Sequence, residues 1–306
     1  MKASVYITCI TLIRGIALAQ PTHAFQWNAK EHIIDESQNP VAGAFAIIGY
    51  YTNSVSTTIE GITATNGLFE FRQTSLSEFA DISFEARKDG YYSIWQQVNL
   101  QPPYNPAKWN IEKTLVLKKI GKPIAMYSKW IRKNPPLLNQ PIGYDLMIGD
   151  WVGPNGKGVQ ADVFFQADDD VKSNRDYKHN ITVRFPKIGD GIQLYTIPDS
   201  ESGSGLRSPH EAPTDGYQPE LTRETSAHPG QPSKFEYEPN RIYLFRVRTV
   251  KDHEGNIVSA HYGKIYGDFM QFTYYLNPTP NDRNIEFDPK QNLLDGLQSF
   301  EQVSAP

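Results

Sequence analysis

Residues 63–71 (TATNGLFEF) decide the fold class of this 306-residue chain. Asn66 and Gly67 form a strong hairpin dipeptide, because both residue types tolerate a positive φ. Phe69 and Phe71 then share one face of the next strand, and the glutamate between them faces the other way, since side chains alternate along a strand. The stretch therefore predicts a tight turn followed by a half-buried β-strand.

The same turn-and-strand pattern continues on both sides of this stretch. Residues 35–51 (DESQNPVAGAFAIIGYY) begin with turn formers and continue into a strand. Residues 82–92 (ISFEARKDGYY) alternate between apolar and polar and then end in another turn, and residues 114–118 (TLVLK) complete the series. Together these segments predict one β unit over residues 25–118.

Three strings of this unit, taken in order, resemble the carboxypeptidase regulatory-like family of transthyretin-type sandwiches. They are D-x4-P-V-A-G-A, T-A-T-N-G-L-F-E-F and A-R-K-D-G-Y-Y. Leu68 departs from the basic or polar residue that is usual at its place in the family. The resemblance implies an Ig/transthyretin-like β-sandwich that is non-catalytic and often attached to another domain, and it implies little about function.

The first 24 residues have the order of an export signal. Lys2 precedes the apolar run Ala3–Ile13, which is too short to span a bilayer. Cleavage sites of the A-x-A type end at Ala19 and Ala24, and either could be used. We therefore predict a signal peptide over residues 1–24 and a secreted or periplasmic protein. A short membrane anchor or an ordinary buried strand is the alternative.

Charge and cysteine content narrow the function classes. Cys9 is the only cysteine of the chain, so a processed protein would have no disulfide and no thiolate ligand for a metal. A lipid anchor on Cys9 is an alternative to a soluble mature chain. The formal net charge is −4, and no run of Lys and Arg occurs, which excludes nucleic acid as an expected partner. No later segment is apolar enough to be expected to cross a membrane, so the mature chain should have no transmembrane helix.

The remaining sequence predicts a second, loop-rich antiparallel β domain. Residues 119–140 are rich in Pro and Gly and are locally basic, as expected of a connector. Residues 141–290 contain several short strand patterns, the clearest of which alternates from Val159. Residues 200–234 are rich in Pro, Gly and Ser and predict a long surface loop that is either mobile or held only by its contacts with a partner or with the rest of the domain. Residues 291–306 predict a tail.

Four strings of the second domain also resemble known sequences. They are GYDL, GDWV, YGKIYGDF and YYLNPTPNDRNIEFD. They are similar to the downstream region of uncharacterised exported bacterial proteins with carboxypeptidase regulatory-like modules. This resemblance implies the same compartment and no particular activity.

No complete catalytic constellation occurs in the chain. The H-x-x-E pair of metallocarboxypeptidases is absent, and in its nearest equivalent His32 and Asp35 would face opposite sides of a strand. His32 is therefore predicted to be a surface or half-buried strand residue. Neither a G-x-S-x-G elbow nor a P-loop occurs. We assign no catalytic residue and expect no cofactor.

One acidic run is a candidate for metal binding. Asp168, Asp169 and Asp170 could supply oxygen ligands to calcium. Their spacing is not that of an EF-hand loop, and like charges in a solvated turn cost little. Ordinary hairpin acids are therefore the favoured interpretation.

Aromatic residues near predicted loops are the candidates for binding. Trp151, Tyr195 and Tyr217 belong to this group, because sugars and protein partners both pack against such rings. Core packing is the competing interpretation, since large rings also dominate β cores. Tyr217 is the only aromatic residue of the predicted loop over residues 200–234 and would be its anchor to a partner.

Two functional hypotheses follow from the sequence. The first is an exported, non-catalytic binding or structural module that acts on a cell-envelope component, a polysaccharide or a partner protein. The alternative is a hydrolase with an Asp- or Glu-based site in residues 141–290. A deep pocket in which two carboxylates, or a carboxylate and a histidine, converge would favour the hydrolase.

Overall fold

In the computed structural model nearly all regular secondary structure of the described residues is β-strand, which confirms the predicted mainly β class. Its strands form four sheets, and clusters of buried apolar side chains pair these sheets into two sandwiches. The predicted signal peptide lies outside the described residues. Within those residues, no helix has the length and apolarity that crossing a membrane requires. The structure describes residues 25–52, 55–75, 81–100, 110–132, 134–235 and 240–306.

The first sandwich packs a sheet of order β4-β1-β7 on a sheet of order β3-β2-β5-β6. Alternation builds its core: Ile82, Phe84 and Ala86 point inward from β5 and are fully buried. Only the β1–β7 pair is parallel among the described pairs of this sandwich. Its strands are β1 (Phe25–Asp35), β2 (Phe45–Thr52), β3 (Val55–Ile62), β4 (Leu68–Ser75), β5 (Asp81–Arg87), β6 (Ile94–Asn99) and β7 (Asn110–Leu117).

The turn at Asn66-Gly67 forms, but it does not join two paired strands. Gly67 has a φ of 73°, as the dipeptide predicts. However, β3 pairs with β2 and β4 pairs with β1, so the turn carries the chain from one sheet to the other. A Cβ at Gly67 would lie 2.4 Å from the carbonyl oxygen of Ile33. The hairpin prediction was wrong because turn chemistry fixes a reversal of the chain, whereas the burial of apolar faces decides which strands pair.

The second sandwich consists of two larger sheets. One has the order β10-β9-β11-β12-β14-β15, and the other has the order β13-β16-β17-β18-β8-β19. All of its described pairs are antiparallel except β8–β19. Its strands are β8 (Ile124–Ile131), β9 (Ile142–Asp145), β10 (Asp150–Trp151), β11 (Val163–Ser173), β12 (Asp176–Arg184), β13 (Gly191–Thr196), β14 (Glu220–Ala227), β15 (Lys234–Phe235), β16 (Arg241–Lys251), β17 (Ile257–Gly267), β18 (Phe272–Leu276) and β19 (Phe287–Asn292).

The sheet that contains β16 is buried on both faces. Tyr243 and Phe245 point into the core between the two sheets, whereas Ile242 and Leu244 point into a separate apolar cluster on the other side. Because neither face of β16 meets solvent, its apolar residues follow one another and do not alternate with polar ones. A further layer of chain must therefore cover the outer face of this sheet.

Residues 200–234 supply much of that cover, and contacts with the rest of the domain hold them in place. Leu206, Ser208 and Ala212 are completely buried. Residues 220–227 form β14, which pairs with β12 over eight residues. The segment contains few apolar groups of its own, and the exposed face of the neighbouring sheet supplies the apolar area that orders it.

The predicted connector and tail both contact the second sandwich. Residues 119–140 contain β8, which lies between β18 and β19 in the sheet. The C-terminal segment packs back on the sandwich, because the Tyr275 hydroxyl donates a hydrogen bond of 3.1 Å to the carbonyl oxygen of Ala305. The first strand of the alternating run begins at Val163, and Val159 is exposed. Each of these segments is ordered by contacts distant in sequence, which local composition does not record.

The two sandwiches meet through residues 199–205. The backbone N–H of Trp95 in β6 donates to the carbonyl oxygen of Gly203 at 3.2 Å, and Gly205 N–H donates to Ser93 at 2.8 Å. The amide nitrogen of Gln96 donates to the carbonyl oxygen of Asp199 at 2.7 Å. This segment therefore extends the edge of the first sandwich with residues of the second.

Candidate functional site

A groove of about 400 Å³ on the second sandwich is lined by four aromatic side chains. Three segments that are far apart in sequence form it: the end of β8, the loop that contains β10, and the C-terminal segment. The aromatic residues that line it are Trp130, Tyr144, Trp151 and Phe300. Its polar lining includes Lys129, Arg132, Asp150, Asn155 and Glu301.

Strand β8 places Trp130 at the wall of the groove. The side chain is half-buried, and the guanidinium carbon of Arg132 lies 3.8 Å from the ring centroid. This is a cation–π contact at short range, which orients both groups. Trp130 lies within residues 119–140, which the sequence predicted to be a connector.

Two aspartates fix the loop that holds Trp151. Asp145 accepts hydrogen bonds from the backbone N–H groups of Met147 and Ile148 through Oδ1, at 3.1 and 3.2 Å. Its Oδ2 accepts from residues 159 and 160 at 3.1 and 3.0 Å, so one carboxylate joins both ends of the loop. Asp150 accepts from Trp151 N–H at 2.9 Å. The GYDL and GDWV strings thus encode a rigid loop.

Arg248 secures this loop from the opposite sheet. It donates to Asp162 Oδ1 at 2.7 Å and to Asp145 Oδ1 at 2.9 Å, and both carboxylates are buried. Its φ of 56° lies in the left-handed region, which a residue other than glycine adopts at a cost of about 1–3 kcal/mol. Burial raises the pKa of Asp162, and the guanidinium opposes that rise. The sequence did not identify Arg248, because no local pattern relates it to two aspartates about 90–100 residues earlier.

Ring packing restricts the side chain of Trp151 further. Its indole meets Tyr144 edge to face at a centroid distance of 5.0 Å and Phe165 at 5.7 Å. Because Tyr144 and Phe165 belong to the core, the indole is held in one orientation and is still half-buried rather than enclosed. The candidate Trp151 therefore combines both interpretations: part of the ring packs in the core and part lines the groove.

The C-terminal segment closes the other side of the groove. Lys129 Nζ lies 3.0 Å from Glu301 Oε1 and donates to the carbonyl oxygen of Gly149 at 2.9 Å. Trp130 N–H donates to the carbonyl oxygen of Glu301 at 2.9 Å. These contacts present Phe300, whose side chain is 45% exposed, at the rim.

The other two aromatic candidates lie elsewhere. Tyr217 packs on the outer face of the β16 sheet, with the Arg246 guanidinium 4.7 Å from its ring centroid. Its hydroxyl donates to the carbonyl oxygen of Pro213 at 2.8 Å, and burial raises its pKa. Tyr195 packs beside the same cluster. Tyr217 anchors its own segment to the sheet, as the core interpretation expects.

The acidic run lies on a strand, not in a turn. Asp168, Asp169 and Asp170 belong to β11, where neighbouring side chains point to opposite faces. Asp168 accepts hydrogen bonds of 3.0 Å from Gln166, and Asp169 pairs with His179 at 2.7 Å. In the ranges that the structure describes, no group of three or more potential metal ligands converges. Asp169 thus points to the opposite face of the strand from Asp168 and Asp170, so the three carboxylates do not gather on one side.

One histidine does meet two carboxylates, at the junction of the sandwiches. His210 Nδ1 lies 3.0 Å from Glu286 Oε2, and its Nε2 lies 3.2 Å from Glu36 Oε2. The hydrogen bond to Glu286 raises the pKa of His210. Since both ring nitrogens are engaged, this histidine joins Glu36 of the first sandwich to Glu286 of the second and has no nitrogen free for acid–base transfer to a substrate.

Lys264 and Ser208 form a pair of a kind that catalysis can use, but a substrate cannot reach them. Lys264 Nζ donates to Ser208 Oγ at 3.0 Å, and burial lowers the pKa of this lysine to about 7. An amine of that kind can activate a hydroxyl. Both side chains are completely buried, however, so no substrate reaches them in this conformation.

Comparison with known proteins gives only remote structural similarity. No family model matches the chain, and no curated protein matches it. A 3-chlorocatechol 1,2-dioxygenase from Rhodococcus opacus 1CP aligns at 10% identity and a TM-score of 0.26, over 33% of this chain and 62% of that chain. A streptococcal ancillary pilin aligns at 14% identity and a TM-score of 0.24, over 46% and 52%. The shaft pilin SpaA from Lactobacillus rhamnosus GG aligns at 11% identity and a TM-score of 0.23, over 75% and 89%.

The alignments span about half of the streptococcal pilin and about three fifths of the dioxygenase. At these TM-scores the matches carry no argument about function. The functional argument therefore depends on the groove itself.

Proposed function

We propose that this chain is an exported, non-catalytic binding module that holds a cell-envelope polysaccharide in the groove of Trp130, Trp151 and Phe300. The observation that supports the proposal most strongly is the meeting of these three rings with acidic, amide and basic side chains in one open groove. Rings stack on the apolar faces of sugars, and the polar groups bond the hydroxyls at the edge.

The rigidity of the groove favours a binding role. Asp145 and Arg248 fix the loop of Trp151, and Glu301 fixes the opposite wall on β8. A preformed site loses little conformational entropy when a ligand binds. A volume of about 400 Å³ also matches a short stretch of a glycan rather than a complete protein surface.

The hydrolase alternative has less support. The groove contains Asp150 and Glu301, but Asp150 accepts backbone hydrogen bonds and Glu301 pairs with Lys129. A glycosidase needs one carboxyl group that is free to protonate the leaving oxygen and a second that acts on the sugar ring. Both carboxylates here support the walls, which favours retention of a ligand over its hydrolysis.

Binding to envelope glycans tests the proposal. The full chain would be titrated with peptidoglycan fragments, a neutral polysaccharide and an acidic polysaccharide by isothermal calorimetry. We expect one of these to bind, and we expect Trp130→Ala and Phe300→Ala each to weaken that binding about tenfold or more, since stacked aromatic anchors dominate such sites.

Trp95→Ala is the matched control. Trp95 is a 49% exposed tryptophan of the first sandwich, far from the groove in the topology. Its loss should leave glycan binding unchanged. If none of the three glycans binds, or if Trp95→Ala weakens binding as much as Trp130→Ala, the groove is not the binding site.

A further inference from the structure

The imidazole of His210 lies between the two sandwiches with one carboxylate at each ring nitrogen. Its Nδ1 lies 3.0 Å from Oε2 of Glu286 in the second sandwich, and its Nε2 lies 3.2 Å from Oε2 of Glu36 in the first. Glu36 belongs to the turn that follows β1, and Glu286 directly precedes β19. One ring therefore links two segments that are far apart in the chain.

The two contacts depend on the protonation state of the ring. Carboxylate oxygens only accept hydrogen bonds, so each of them needs an N–H donor. Neutral imidazole has a single N–H, whereas the imidazolium donates from both nitrogens. The charged ring is thus the form of His210 that satisfies both carboxylates and joins the sandwiches.

The two contacts are not equivalent once the ring loses a proton. The side chain of Glu286 is 2% exposed, whereas that of Glu36 is 36% exposed. A buried carboxylate that loses a donor is destabilised more than one that water can solvate. The remaining proton therefore stays on Nδ1 with Glu286, and the Nε2 lone pair then faces the Glu36 carboxylate without a hydrogen between them.

We propose that His210 is a pH-sensitive latch between the sandwiches, closed while both ring nitrogens carry a proton and open at Glu36 once one proton is lost. The hydrogen bond to Glu286 and the charge of Glu36 both raise the pKa of His210. The share that Glu36 contributes is present only while the latch is closed, so the closed state binds the proton more tightly. Closure is therefore favoured at low pH and weakens as pH rises through the pKa of the closed state.

Other titratable groups surround the latch without forming this bridge. Tyr92 donates its hydroxyl to Glu286 at 2.5 Å, and Glu211 pairs with Arg283. Lys264 also titrates near neutral pH, because burial lowers its pKa to about 7, and its charge acts on Glu286. A change at Glu36 therefore tests His210 separately from Lys264. The charged residues that line the same depression as His210 are Lys119, Lys122, Glu211, Asp282 and Glu286.

Replacement of Glu36 tests the proton that closes the latch. The nitrogen chemical shifts of the His210 ring would be followed by NMR in the full chain as the pH is raised. We expect Nε2 to lose its proton while Nδ1 keeps one, and the proton dissociation constant of His210 to rise about threefold or more in Glu36→Ala. Glu211→Ala removes an exposed carboxylate beside the same ring and should change this constant by less than about 1.5-fold.

The separation of the sandwiches tests whether the latch holds them. In a Cys9→Ser background, spin labels at Thr65→Cys and Glu254→Cys would mark an exposed turn of each sandwich. We expect the distribution of label distances to be broader at about pH 8.5 than at about pH 6, and to be equally broad at both values when Glu36→Ala is added. Circular dichroism would establish that each variant is folded.

Two results would overturn the proposal. One is a His210 ring whose proton dissociation constant is the same with and without Glu36. The other is a distance distribution that does not change between the two pH values, which would mean that the remaining contacts of the junction fix the sandwiches whatever the charge of His210.

Discussion

Two buried glutamates differ in charge: Glu31, inside the first sandwich, is neutral, and Glu286, at the junction between the sandwiches, is ionised. Glu31 in β1 is 0% exposed, neither of its oxygens has a hydrogen-bond partner among the described residues, and burial raises its pKa to about 9. Glu286 is 1% exposed, and burial alone would raise its pKa too. Hydrogen bonds from His210, Tyr92 and Gly121 instead lower the pKa of Glu286 to about 2.

The difference shows that burial destabilises the ionised form of a carboxyl group, and that nearby hydrogen-bond donors decide whether the group is ionised all the same. At neutral pH Glu31 is protonated and Glu286 is ionised. Glu286 receives the Tyr92 hydroxyl at 2.5 Å and the N–H groups of Gly121 and Lys122 at 2.9 and 3.1 Å. A buried carboxylate with several donors stabilises the junction, whereas a buried carboxyl group with none destabilises the core around it.

Removal of the junction carboxylate should have the largest effect. Glu286→Ala leaves several donors without an acceptor and should lower the free energy of unfolding by about 3–5 kcal/mol at pH 7. Denaturant unfolding would measure this loss. Glu211→Ala is the matched control, since Glu211 lies in the same depression with a 62% exposed side chain and should change stability by less than about 1 kcal/mol. Equal losses in the two variants would contradict the importance of Glu286.

Replacement of the core glutamate should act in the opposite direction. Glu31→Leu exchanges an unpaired buried polar group for an apolar one of similar volume and should raise the free energy of unfolding by about 1–3 kcal/mol. The same denaturant experiment would measure it. Glu70→Leu, at an exposed position of the adjacent strand β4, should stay within about 0.5 kcal/mol of the wild type. A destabilised Glu31→Leu protein would mean that the carboxyl group has a stabilising partner.

The pH dependence of stability tests the same comparison without replacing a buried side chain by an apolar one. Glu31 binds a proton in the native state up to a pKa of about 9, whereas the unfolded chain releases it near 4.5. The native state therefore holds the extra proton between these values, and stability should fall as pH rises through this window, by at most about 1.4 kcal/mol per pH unit.

Glu31→Gln cannot titrate and should lack this contribution. Thermal or denaturant unfolding at intervals from pH 5 to pH 9 would show a shallower decline in the variant than in the wild type. At acidic pH the stability changes in the opposite direction. Because the pKa of Glu286 is lowered, the stability that its ionised carboxylate contributes is present above about pH 4.5 and is lost as the pH falls towards 2. Parallel profiles for wild type and Glu31→Gln would show that Glu31 does not titrate in this range.

The local sequence pattern predicted side-chain positions correctly where one face of a strand packs against a single core. The alternation around Phe69 and Phe71 predicted their contact with the first core, and the turn at Gly67 has the backbone that its sequence requires. His32 lies half-buried on β1, as predicted. These features depend only on neighbours within a few residues.

The candidate site was predicted only in part. Trp151 was identified from its position beside a glycine-rich loop, and it does line the groove. Trp130 and Phe300 were assigned to a connector and a tail, and Arg248 was not identified. No signal within a short window relates these residues, because β8, β16 and the C-terminal segment meet only when the sheet assembles.

The sequence by itself determined the β class, several strands of the first sandwich and the backbone of the turn at Gly67, because alternation and turn chemistry act over a few residues. Only the tertiary structure decided that residues 200–234 cover a sheet, that residues 119–140 supply a strand, and that Glu31 and Glu286 differ in charge. These outcomes depend on which apolar faces and hydrogen-bond donors meet across the fold, and that information lies in contacts between residues far apart in the chain.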